Sequence, residues 1–223
     1  METFRILSTK KLQPNHKQFL LNAGFSVIEA GFIAIQYMPF EFKAIGQNLL
    51  FTSQNAFKSF LLNGESANYK DRTIFCVGSK TKEAIENAGY TVTAHADYAE
   101  QLATIIIEKY SGESLTFFSG SMRRDTLPDT LAAANINFNE IEVYKTVLSP
   151  HSIKSRIDGI LFYSPSGVTS YISKNNITDE VCFCIGTTTA EALKHITNNI
   201  VIANKPTVEN VIIQCINYYK EHI

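Results

Sequence analysis

Six short segments of this 223-residue chain each close an apolar, strand-like run with hydroxyls or glycine. They are Ser8-Thr9-Lys10, Thr52-Ser53-Gln54-Asn55, Gly78-Ser79-Lys80-Thr81, Ser119-Gly120-Ser121, Ser164-Pro165-Ser166-Gly167 and Gly186-Thr187-Thr188-Thr189. Glycine lets backbone approach a ligand closely, and hydroxyls beside unpaired amides hold carboxylate or phosphate oxygens. Taken singly, each segment is also what an ordinary helix N-cap looks like, since caps prefer Ser, Thr, Asp and Asn. Together, rich in hydroxyls and poor in Asp, they read as an extended anion-binding surface. Lys10, Lys11, Lys80, Arg123 and Arg124 follow strand ends, where they can meet a ligand's acidic groups or simply solubilise a surface helix.

Other chemistry is absent from the pattern. No histidine, cysteine or carboxylate cluster has metal-ligand spacing, and no Gly-x4-Gly-Lys-[Ser/Thr] phosphate loop occurs. Cys182 and Cys184 would share one face of a strand, but no second pair or neighbouring histidine completes a metal site, and free cysteine in apolar runs acts as a small hydrophobe. Twenty basic against twenty-one acidic residues give a net charge of -1, so polyanion binding through net charge is not expected, and any anion site is local. No apolar run approaches the length of a membrane span and the first residues lack a signal-peptide pattern, so the expectation is a cytoplasmic protein without membrane or nucleic-acid partners. An enzyme built this way works by holding a reactive substrate in one shape more than by a strong acid–base pair.

The elements that place these turns alternate between β-rich runs and segments of helical period, the pattern of an α/β fold with parallel sheets. The spacing predicts strands at 5–8, 48–52, 73–77, 91–94, 115–118, 138–146, 159–163, 181–185 and 200–203, with extended chain over 26–38. Helices are predicted at 15–22, 55–62, 81–88, 99–110, 128–134, 168–173, 188–195 and 208–221. Phe75 to Ile85 and Phe183 to Leu193 share Phe-Cys-[Ile/Val]-Gly-x-x-Thr-x-Glu-Ala-[Leu/Ile], and each lies behind a Phe-x-Ser turn at similar distance. The first copy continues to a strand–helix–strand over 115–144 that the second lacks at its C-terminal side. The start of the chain, Arg5 to Ile28, supplies one. The expectation is therefore two similar α/β units. One is discontinuous, 1–37 with 149–223, and the other, 40–145, is inserted in it. Crossing linkers at 33–40 and 143–150 would pair as a ribbon above a cleft, a common place for a small-molecule site.

The ordered motifs Phe51 to Ala56, Val77 to Thr81, Ser119 to Pro128, Ile141 to Thr146, Phe162 to Gly167 and Ile185 to Ala190 cover nearly the whole chain. In that order the chain resembles the uroporphyrinogen-III synthase family. It departs from the family at Thr81-Lys82, where Thr-Ala is common, and its Ser8-Thr9-Lys10 run lacks the arginine often found near there. The resemblance implies two flavodoxin-like lobes joined by a two-stranded connection. It also implies a cofactor-independent, monomeric lyase that closes hydroxymethylbilane into a macrocycle with its last pyrrole ring inverted. Substrate carboxylates would be held by Thr52, Ser53, Gly78, Thr81, Ser119, Gly120, Arg123, Ser164, Ser166, Gly167, Gly186, Thr187, Thr188 and Thr189. Tyr144 matches the family's tyrosine and would be the proton donor, because a phenol ordinarily keeps its proton at neutral pH. The rival reading is a non-enzymatic, two-lobed binding module for a carboxylate-rich or phosphorylated small molecule.

Overall fold

A computed structural model describes residues 3–220. Glu221, the expected last residue of the closing helix, lies outside the described residues, as do the first two and last two residues of the expected outer domain. The chain divides into two compact units, Met1–Ala34 with Val147–Ile223, and Ile35–Thr146.

Unit 1 is built on a five-stranded sheet of β1 (Arg5–Ser8), β2 (Ser26–Glu29), β9 (Gly159–Phe162), β10 (Val181–Cys184) and β11 (Ile200–Ile202), in the spatial order β11-β10-β9-β1-β2 and parallel throughout. The sheet of unit 2 holds β3 (Ile33–Tyr37), β4 (Asn48–Phe51), β5 (Thr73–Val77), β6 (Val92–Ala96), β7 (Leu115–Gly120) and β8 (Phe138–Leu148), ordered β3-β8-β7-β4-β5-β6, with β4 to β8 parallel. Strands β4, β9 and β10 are buried at every position. That is why they read as unbroken apolar runs and not as alternating ones: a parallel sheet covered on both faces has no solvent side.

Helices α1 (Pro14–Asn22), α6 (Pro165–Ile172), α7 (Thr187–Glu191) and α8 (Val208–Lys220) belong to unit 1. Unit 2 carries α2 (Gln54–Leu62), α3 (Ser79–Asn87), α4 (Ala99–Tyr110) and α5 (Thr126–Ala133), and a 3-10 turn at Ser66–Tyr69 that the periodicity missed. One face of the unit 1 sheet packs Ile6, Leu161, Phe183 and Val211, and the other packs Leu7, Ile160, Phe162 and Tyr171. Unit 2 has an aromatic core: Phe118 stacks on Phe51 at 5.1 Å and meets Phe60 edge-on at 5.3 Å, and Phe42, Phe57 and Tyr90 extend the cluster.

The strand orders carry a correction. In chain order, unit 1 runs 2-1-3-4-5, the flavodoxin order, whereas the parallel strands of unit 2 run 3-2-1-4-5. The two become the same order if unit 1 is started at β9 and β1–β2 are placed last. Then β9 corresponds to β4, β10 to β5, β11 to β6, β1 to β7 and β2 to β8. The repeated Phe-Cys motif occupies β5–α3 and β10–α7, equivalent positions in that scheme. Only unit 1 therefore has the flavodoxin-like order expected for both.

Two local expectations also change. The helix expected at 188–195 is regular only over Thr187–Glu191, after which Leu193, Lys194 and Ile196 donate to carbonyls three residues back and tighten the chain into turns. Strand β7 extends through Ser119 and Gly120, which pair with Glu142 and Tyr144, so these two residues lie in a strand and not in a turn. All four cysteines are buried, and burial pushes the thiols of Cys76 and Cys184 up to about 11 and about 12 and those of Cys182 and Cys215 higher still, so they are inert packing groups. Among the described residues no group of three His, Cys, Asp or Glu is placed to hold a metal ion, and no helix is long and apolar enough to cross a membrane.

Candidate functional site

In open parallel sheets, ligands bind outside the carboxyl ends of the strands, where neighbouring strands connect in opposite directions. In unit 2 that point lies between β4, which leads to β5, and β7, which leads to β8. In unit 1 it lies between β9 and β1. Four of the six hydroxyl segments come after the ends of β4, β5, β9 and β10, and the other two, Ser8-Thr9-Lys10 and Ser119-Gly120-Ser121, close β1 and β7.

At the unit 2 point, Ser53 caps α2, its Oγ accepting the Asn55 N–H at 3.1 Å. Gly120 ends β7, and a Cβ there would stand only 2.2 Å from Cζ of the Tyr144 ring, well inside van der Waals contact. The side-chain hydroxyl of Tyr144 donates to Ser53 Oγ at 3.2 Å. A side chain from β8 thus crosses the last residue of β7 to reach the loop after β4. The pairing skips one residue: Ser119 faces Glu142 but Gly120 faces Tyr144, leaving Val143 as an extra, fully buried residue. Such a bulge bends a strand and re-aims the side chains beyond it. The Val143 carbonyl accepts from Ser59 Oγ of α2 at 2.6 Å and from the Met38 N–H at 2.9 Å. Thr52 is half-buried beside the cap, and Gly78 takes φ +87° to turn from β5 into α3, a conformation that glycine adopts without strain. Thr81, one turn into α3, is buried.

At the corresponding edge of unit 1, Ser164 caps α6 by accepting the Gly167 N–H at 3.1 Å, and its Oγ lies 3.0 Å from that of Ser166. Thr9 Oγ1 donates to the Leu161 carbonyl at 2.7 Å, tying β1 to β9. Gly186 precedes α7, with Thr187 and Thr188 exposed and Thr189 buried. The first-turn N–H groups of Thr187 and Thr188 have no acceptor within their own helix.

The electrostatics of these ends are selective. Helices α1, α2, α3, α6 and α7, which follow β1, β4, β5, β9 and β10, have no acidic residue in the first turn. By contrast α4, α5 and α8 carry Glu100, Asp129 and Glu209 there. An acid in the first turn neutralises the partial positive charge of a helix N-terminus, so the five bare ends keep it for an anion.

The sequence motifs on these edges have relatives. A family model for uroporphyrinogen-III synthase HemD matches residues 16–213. The chain belongs to the uroporphyrinogen-III synthase family. It is thereby a cyclising hydro-lyase of porphyrin biosynthesis. The uroporphyrinogen-III synthase of Chlorobaculum parvum is 26% identical over 170 residues, covering 66% of this chain and 68% of that protein. A porphyrin biosynthesis protein HemD of Ruminiclostridium josui is 29% identical over 183 residues, covering 74% of this chain but only 36% of that longer protein. Among solved structures, the Helicobacter pylori uroporphyrinogen-III synthetase shares the fold with a TM-score of 0.76 at 18% identity, covering 97% of this chain and 100% of that one. A mutant Thermus thermophilus uroporphyrinogen III synthase does so at 0.66 and 14% identity, covering 99% and 100%.

Within this uroporphyrinogen-III synthase family member, the expected binding residues divide by what they already touch. Arg123 is engaged by Glu140 through Nε at 2.5 Å and Nη2 at 2.8 Å, and by Asp125 through Nη1. The Glu140 hydrogen bonds above all raise its pKa further. Burial alone would raise Glu140, but hydrogen bonds from Arg123 and Ser119 and the Arg123 charge outweigh it and hold the carboxyl below its usual range. Ser119 therefore ties β7 to β8, and Arg123 ties the loop after β7 to the same carboxylate. Thr52, Gly78, Thr187 and Thr188 lie at the open strand ends. Ser59 was missed from the sequence, although its place in the buried stripe of Ala56, Phe57 and Phe60 was the signal: a polar residue on an apolar helix face needs a buried partner.

Proposed function

We propose that this chain closes hydroxymethylbilane to uroporphyrinogen III, acting as a monomer without a cofactor, with Tyr144 as the proton donor. The observation that supports this is the Tyr144 hydroxyl held at the unit 2 switch point, where its ring lies on Gly120 and its oxygen meets Ser53. The pyrrole nitrogen lone pair expels the hydroxymethyl oxygen, which leaves as water with the phenol proton. The resulting azafulvene cation is attacked by the substituted carbon of the last ring. The spiro intermediate fragments and recloses through the opposite carbon, and the proton lost as that ring regains aromaticity balances the one supplied. Only water leaves. No strong base is needed, in keeping with the absence of one in the sequence. The units serve as two lobes, the second inserted in the first through β3 and β8.

In unit 2 the bare N-termini of α2 and α3, with the hydroxyls of Thr52 and Ser53, and in unit 1 those of α6 and α7, with Ser164, Ser166, Thr187 and Thr188, each offer N–H and O–H donors suited to acetate and propionate groups. Such binding requires no net positive charge on the protein. Thr188→Asp places a carboxylate at one of these ends, and we expect KM to rise by about tenfold with kcat changed much less. A KM within twofold of the parent would remove the α7 end from the binding surface. The reading as a whole is tested by supplying freshly made hydroxymethylbilane, oxidising the products and separating the type I from the type III isomer. Type III is expected. Type I alone, at the spontaneous rate, would favour the binding-module alternative.

A further inference from the structure

Glycine at position 120 is not required by its own backbone, because its φ lies outside the left-handed region that favours glycine. What excludes a side chain is the Tyr144 ring, all three of whose nearest atoms crowd the place where a Cβ would stand. The ring is also aimed there, since the unpaired Val143 shifts the register by one residue and turns Tyr144 toward Gly120. The carbonyl of that extra residue is held twice, by the Met38 N–H at 2.9 Å on one side and by Ser59, only 2% exposed, which donates to it at 2.6 Å. Helix α2 thus grips this strand twice: Ser59 holds the bulge, and Ser53 Oγ at the cap accepts a hydrogen bond from the phenol O–H at 3.2 Å.

We propose that Gly120 and Ser59 are positioning residues for Tyr144, Gly120 as the seat of the ring and Ser59 as the pin of the bulge that directs it. Neither needs to touch substrate. With Asn55 N–H and Tyr144 O–H both donating to Ser53 Oγ, the proton of the Ser53 hydroxyl points away from both, so the pair presents one outward donor beside the phenol. This inference rests on the proton-donor reading of Tyr144 for its catalytic half and on the packing alone for its structural half, so the two halves are measured separately.

The first measurement is stability. Gly120→Ala is expected to lower the denaturation midpoint in the parent and to have little effect in a Tyr144→Ala background, where no ring occupies the space. An equal loss in both backgrounds would overturn the seat. The second is turnover of hydroxymethylbilane to the type III isomer. Gly120→Ala and Ser59→Ala are each expected to lower kcat, by about tenfold, with KM nearly unchanged, because a donor displaced by a fraction of an ångström loses its alignment. Ser59→Thr, which keeps the hydroxyl, is expected to stay close to the parent. Added to Tyr144→Phe, neither alanine substitution lowers kcat further if it acts through the phenol. Losses that multiply would show independent roles and overturn the proposal. Parental turnover in Tyr144→Phe itself would remove the catalytic half and the donor reading with it, while the stability cycle still decides the seat.

Discussion

Tyr144→Phe is expected to lower kcat for type III formation by about 10- to 100-fold while product affinity stays close to that of the parent. The substitution deletes one oxygen and keeps the ring, so the packing on Gly120 and the bulge at Val143 persist, and what is lost is the proton for the departing hydroxyl and the bond to Ser53. Spontaneous closure competes and gives type I, so the isomer ratio is a second readout: a slowed enzyme leaves more of its substrate to the uncatalysed route. Steady-state assays with isomer separation measure both. Unchanged turnover would take Tyr144 out of the mechanism and leave catalysis to substrate shape alone.

The largest stability effect is expected at Phe118. Its ring is fully buried, stacks on Phe51 at 5.1 Å and an interplanar angle of 9°, and meets Phe40 and Phe60 edge-on. Replacing a buried Phe by Ala removes transfer energy and leaves a cavity that rigid neighbours cannot fill, at a cost of about 3–5 kcal/mol. Phe118→Ala should therefore shift the urea midpoint strongly with little change in slope, and melting by on the order of 10 °C. A loss under about 1 kcal/mol would show that the aromatic cluster repacks. Because Phe118 lies two residues before Gly120 on β7, the variant should also blunt turnover.

Legibility in the sequence depended on whether a feature is written locally. The strands were legible because β4, β9 and β10 are buried on both faces and their sequences are uninterrupted apolar runs. The split repeat was legible because β5–α3 and β10–α7 keep the same spacing of Phe, Cys, Gly, Thr and Glu. The hydroxyl turns fell at strand ends for the local reason that caps and anion sites use the same residues. The bulge was not legible, since it is a property of the β7–β8 pairing and leaves no mark within either strand. Arg123 was read as a ligand contact because it follows a strand end, and its ion pair with Glu140, 17 residues away on another strand, leaves no mark in the sequence. The early end of α7 was hidden for a related reason: Thr188 to His195 is helical in composition, and only the descent into β11 forces the chain to tighten after Glu191.

The placement of β1 between β2 and β9 has a bearing on how the chain is made. Arg5 and Asp158, which hydrogen-bond across the start of these strands, are 153 residues apart. At ribosomal rates of about 5–20 residues per second, β1 waits roughly 8–30 s for its neighbour. During that interval β1 has only β2 beside it, and Ile6 and Leu7, fully buried in the finished protein, lack the β9 side of their sheet. Unit 2 is contiguous and can complete itself in the meantime. The nascent chain therefore passes through a stage with one finished unit and one half-matched pair of strands, which makes chaperone demand a property of the β1–α1–β2 segment and not of the inserted unit.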